Sequence, residues 1–104
     1  MTTKNYIVEA TDTFQGTLGL RVFEGEDVIW AAYVFPVLSP KTEKVEWAAD
    51  AYIGTQEVDY FIADLEVDGV KNSTLAKEII DYLGEPTFDL PVLLAKLTPK
   101  HFTL

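Results

Sequence analysis

Apolar residues fall on alternate positions through much of the first third of the chain, the two-residue period of strands with one buried face. Tyr6, Val8 and Ala10 alternate with Glu9 and Thr11, and Phe14-Gln15-Gly16 supplies a turn. Leu18, Leu20 and Val22 then alternate with Thr17, Gly19 and Arg21 before a second turn at Glu24-Gly25-Glu26-Asp27. The next run, Val28 to Phe35, is apolar on both faces, which predicts a central strand covered on both sides. Pro36 is expected to end it, because proline cannot donate to a ladder. The pattern is a three-strand meander whose first strand, Tyr6–Thr11, lies at an exposed edge that invites pairing with a second copy.

Residues 39–53 admit two readings. Ser39-Pro40 resembles a helix start, and three alanines favour helix. Against this, Val45, Trp47, Ala49, Ala51 and Ile53 alternate without a break. A Gly54-Thr55 turn would set Ile53 opposite Gln56, Ala51 opposite Val58, Ala49 opposite Tyr60 and Trp47 opposite Ile62. Both strands then agree on which face is wet, a coincidence that a helix does not require. The hairpin is the preferred reading.

After Val67-Asp68-Gly69 the period lengthens. Leu75, Ala76, Ile79, Ile80 and Leu83 recur at helical spacing, Ser73 is the expected N-cap, and Gly84 with Pro86 forms a stop. This predicts a helix over 74–83. A shorter helix from Pro91 to Leu97 is expected after Asp89, and the tail His101–Leu104 is apolar enough to dock on the body. The predicted fold class is α+β: one domain spanning 1–104, with an antiparallel sheet of four to five strands packed by one main helix and a short C-terminal one.

Composition sharpens the functional side. Seventeen carboxylates face eight bases, a formal charge of −9, and there is one histidine and no cysteine. Hydrophobic residues make up 48% of the chain, so the acidity does not signal disorder. The acidity argues against direct binding to nucleic acid or an anionic membrane, since both rest on lysine and arginine, and favours a basic protein partner. Without cysteine there are no disulfides or thiolate metal sites, and no apolar leader or membrane-length run is visible, so a cytoplasmic protein is expected.

Motifs that carry chemistry are weak. Phe14–Gly19 holds two glycines but no lysine follows, so a hairpin turn is a better account than a phosphate loop. Asp64-x-Glu66-x-Asp68-Gly69 resembles the start of a calcium loop, yet its twelfth position is Leu75, where a bidentate glutamate belongs. The acids there alternate with Leu65 and Val67 as on the solvent face of a strand. His101 lacks partners for a triad or zinc site, and neither serine, Ser39 or Ser73, lies in a nucleophile elbow. No catalytic residue, metal or cofactor is assigned, and no enzyme is expected.

What remains is a charge pattern. The hairpin would put Glu46, Asp50, Glu57 and Asp59 on one face with Tyr52 and Phe61, while Glu24, Glu26 and Asp27 cluster on a turn. These nine residues are the candidate partner-binding set, with a helix over 74–83 covering that face as the bland alternative. Most other aromatics, Trp30, Tyr33 and Phe35 among them, are expected in the core. In size and charge alone the chain resembles small acidic proteins that occupy the nucleic-acid channel of a nuclease, repair enzyme or immune effector. The resemblance implies a non-catalytic inhibitor of a basic, nucleic-acid-binding protein, of nucleic-acid-mimic or anti-defence type, acting as monomer or homodimer. An immunity or antitoxin partner of a basic toxin, or a small-ligand-binding regulatory domain, are the alternatives.

Overall fold

The computed structural model describes residues 3–53 and 56–104, with side chains described outside 51–58. It is an α+β fold. Strands β1 (Asn5–Phe14), β2 (Thr17–Glu24), β3 (Asp27–Leu38), β4 (Val45–Ile53) and β5 (Gln56–Phe61) follow one another. A 3-10 turn (Ile62–Asp64), a short hairpin of β6 (Glu66–Val67) and β7 (Val70–Lys71), helices α1 (Ser73–Leu83) and α2 (Leu90–Lys96), and β8 (Lys100–Thr103) complete the chain. The main sheet is antiparallel and six-stranded, in the order β5-β4-β3-β2-β1-β8.

Residues 45–61 form the hairpin. Ile53 pairs with Gln56, Ala51 with Val58 and Ala49 with Tyr60. The expected Trp47–Ile62 pair is absent from the ladder, because Ile62 already begins the 3-10 turn, whose backbone bond runs from Leu65 N–H to Ile62 O. Ser39 is a loop residue: its N–H donates to Lys44 O at 2.8 Å and its carbonyl accepts from Glu43 N–H at 2.8 Å, closing the β3–β4 connection. Glu66–Lys71 also turns tightly, with Asp68 at φ 53° and Gly69 at φ 78°, the left-handed pair that Asp-Gly suits in a two-residue hairpin.

Several sequence expectations are corrected. β3 runs through Pro36 to Leu38, since Pro36 lies beyond the last β2 partner, at Leu18↔Val34, where β3 has one ladder neighbour and proline is tolerated as on an edge. β3 is internal in the sheet but covered on one face only: Trp30, Ala32, Val34 and Pro36 are buried, whereas Val28 and Tyr33 are exposed. The N-cap of α1 is Asn72, whose Oδ1 accepts from Leu75 N–H at 3.0 Å, and Ser73 is the first helical residue. The tail supplies a sixth strand, pairing Asn5–Val8 with Thr103–Lys100 and so covering much of the edge expected to be free. Beyond it, Ala10 N–H donates to the Tyr82 hydroxyl of α1 at 3.3 Å.

The core lies between one sheet face and the helices. α1 contributes Leu75, Ala76, Ile79 and Leu83, and α2 contributes Leu90, against Val8, Leu18, Leu20, Val22, Trp30, Val34, Trp47 and Ala49. Two indoles stitch this layer. Trp47 Nε1–H donates to Gly84 O at the end of α1 at 2.9 Å, and Trp30 Nε1–H donates to Tyr60 Oη at 2.7 Å, linking β3 to β5 across β4.

Two tests follow from these contacts. Asn72→Ala should lower stability by about 1 kcal/mol in urea titration, the usual effect of losing a cap, while Ser73→Ala stays within about 0.5 kcal/mol. Equal losses would return the cap to Ser73. Burial raises the Tyr60 and Tyr82 phenols above the ordinary 10.0, opposed for Tyr60 by the Trp30 hydrogen bond and for Tyr82 by Ala10 N–H. Because the unfolded phenols ionise first, stability should hold below pH 10 and fall as pH rises above it, less steeply in Tyr60→Phe.

Candidate functional site

Two short helices cover one side of a six-stranded sheet, and the other side is left open. Ladder partners place Glu9, Arg21 and Ala31 in one cross-strand row of the open face. Gly19, Tyr33, Asp50 and Asp59 form the next row, and Phe35, Ala48 and Phe61 the one after. α1 packs on the opposite face, so it does not cover the acids. The exposed ring of Phe14 meets Tyr33 at a centroid distance of 6.2 Å. Tyr33 and Phe35, expected in the core by their apolar neighbourhood, therefore belong to this surface.

Asp50 and Asp59 are directly opposed, an arrangement of like charges that destabilises an antiparallel pair. Asp50 Oδ1 is shut off from solvent and has no hydrogen-bond donor among the described residues. Glu46 shares the face by alternation and accepts from Thr42 Oγ1 at 2.9 Å, but buried Ala48 separates it from Asp50. Phe61 is half-buried beside Ala48. The acids are thus an opposed pair beside aromatics, with Glu46 standing apart. Tyr52 and Glu57 are ladder partners, and the roles expected of their side chains lie outside the described residues.

The second expected cluster stays separate. Glu24 and Asp27 flank the Gly25-Glu26 turn, and Glu24 is held by Lys4 at 3.5 Å. Asp27 lies six residues along β3 from the Tyr33 row, about 20 Å at the strand rise. His101 is exposed on β8 opposite Ile7, in a groove of about 370 Å³ that includes Asn5 and Phe102. The Asp64–Gly69 acids lie on the 3-10 turn and the β6–β7 hairpin, with Asp64 paired to Lys71 at 3.7 Å. Among the described residues no group of three or more His, Cys, Asp or Glu could hold a metal ion.

The sequence did not single out a trough on the open face. Between Ala10↔Leu20 and Thr13↔Leu18, β1 spends two residues, Thr11 and Asp12, where β2 spends only Gly19. This bulge sets Thr11 and Asp12 over Gly19: a Cβ there would run into Thr11 Oγ1 and lie 2.5 Å from Asp12 Oδ1. Thr11 Oγ1–H donates to Asp12 Oδ1 at 2.9 Å. The result is a trough of about 540 Å³ whose lining includes these residues, Arg21, Ala31, Tyr33 and Asp50. A glycine inside an alternating strand, with an acid where the apolar beat of β1 should fall, was the available signal. Arg21, Asp12, Asp50 and Asp59 take part in none of the ion pairs found among the described residues.

Compared with known proteins, the chain matches no family model, no curated protein and no solved structure.

Asp59→Asn should raise stability by roughly 0.2–1 kcal/mol by relieving the opposed pair, read as a higher urea midpoint at low salt. No gain would mean that Asp50 and Asp59 do not repel across the ladder.

Proposed function

We propose that this protein is a non-catalytic binding module whose open sheet face docks on a basic protein, and that the surface it covers there is a nucleic-acid-binding cleft. One observation carries the reading: this face combines an opposed Asp50/Asp59, in no ion pair among the described residues, with the aromatics Phe14, Tyr33, Phe35 and Phe61. Phe14 at 58% and Tyr33 at 39% exposure offer anchoring area of the kind that dominates interface energetics. The carboxylates supply steering and selectivity for a basic surface.

The net charge of −9 supports a cationic partner. A close imitation of a phosphate backbone needs evenly spaced charges, whereas Ala48 interrupts Glu46 and Asp50. Charge pairing around aromatic anchors therefore carries the proposal, rather than strand-like mimicry. Inhibition then follows from occupancy, because a cleft filled by this face is closed to nucleic acid.

The test is affinity capture with the immobilised protein at low salt, followed by identification and competition. Captured proteins should be basic, should elute as salt shrinks the screening length from about 8 Å at 0.15 M to about 3 Å at 1 M, and should be displaced by nucleic acid. Asp50→Lys/Asp59→Lys should lose them. Glu66→Lys/Asp68→Lys, the same charge change on the β6–β7 hairpin, should keep them. Unchanged capture by the first variant would overturn the reading.

A further inference from the structure

We infer that the trough on the open face is a socket for one arginine side chain of the partner, with Tyr33 as its stacking wall and Asp50 and Asp12 as acceptors at its two sides. This rests on the open face being a docking surface for a basic protein. Thr11, Asp12 and Tyr33 gather over Gly19, with Tyr33 Cε1 3.5 Å from where a Gly19 Cβ would stand, so the ring and the Asp12 carboxylate border the same trough. Guanidinium groups stack on such rings and are attracted by their negative faces.

The carboxylates select for a planar fork. Asp12 stands over β2 and Asp50 on β4, strands whose backbones lie two spacings, about 10 Å, apart. A guanidinium donating from opposite edges through hydrogen bonds of about 2.8 Å spans roughly 8 Å, while a tetrahedral ammonium holds two acceptors only about 5 Å apart. Asp12 Oδ1 already accepts from Thr11, leaving Oδ2 for the ligand. Asp50 Oδ1 has no donor among the described residues, and rotation about the soft terminal torsion of an aspartate presents either oxygen.

Among the described residues Arg21 is the one cation in the lining, outnumbered by two carboxylates. It is exposed on a long stem and can swing clear, and it gives the inference a sign. A cationic occupant is opposed by Arg21, whereas an anionic occupant would depend on it.

The experiment is an NMR titration of the full chain with N-acetyl-arginine amide and, separately, N-acetyl-lysine amide. The arginine probe should move the Gly19, Tyr33 and Asp50 amides and bind at least threefold tighter than the lysine probe. Asp50→Asn should weaken it about fivefold or more, Tyr33→Leu should erase the arginine preference, and Arg21→Gln should strengthen it, all with the remaining amide spectrum unchanged. Equal binding of the two probes, no movement at these amides, or loss of binding in Arg21→Gln would each overturn the socket. If arginine fails while basic proteins are still captured through Asp50 and Asp59, the socket falls and the docking surface stands. If arginine binds while capture ignores those two residues, the trough binds arginine but its assignment to a docking partner falls with the docking surface.

Discussion

A single layer of helix on a sheet with two faces is the constraint behind the rest of this structure. α1 has 11 residues and α2 has seven, and both pack on the same side. Leu75, Ala76, Ile79 and Leu83 form one stripe, so α1 can bury one sheet face and no more. The indole bonds from Trp47 to Gly84 and from Trp30 to Tyr60 hold that choice in place. The aromatics and acids on the other side have no covering helix among the described residues.

The open face is shaped by a local irregularity. Without the bulge, strict alternation from Val8 and Ala10 would turn Asp12 into the core, where an unpaired carboxylate is strongly disfavoured. Spending two residues against Gly19 puts Thr11 and Asp12 on the open side and lets Thr13 resume the inward position opposite Leu18. The device that keeps a charge out of the core also builds the wall of the trough. Gly19 is needed there for close approach, since its neighbours occupy the space of a side chain.

The edges of the sheet are treated differently. At β1 the tail strand pairs with Asn5–Val8, and Tyr82 takes the Ala10 N–H farther along. Charges on exposed edges and faces disfavour promiscuous pairing. The opposed Asp50 and Asp59 go further, because they are placed where they oppose the hairpin's own stability.

Alternation by itself determined the three-strand meander, the hairpin register through Ile53↔Gln56 and Ala49↔Tyr60, and the helical stripe of α1, because side-chain periods of 2 and 3.6 are local properties of the backbone. It also placed Asp50 and Asp59 on one face. What it left undecided was which face would be covered, since the covering helix comes from residues more than ten positions further on and both faces of β3 are apolar enough to receive it. The same distance hid the pairing of Lys100–Thr103 with β1 and the assembly of the trough from β1, β2, β3 and β4. Those are contacts between remote segments, and only packing, with the exclusion of Asp12 from the core, decided them.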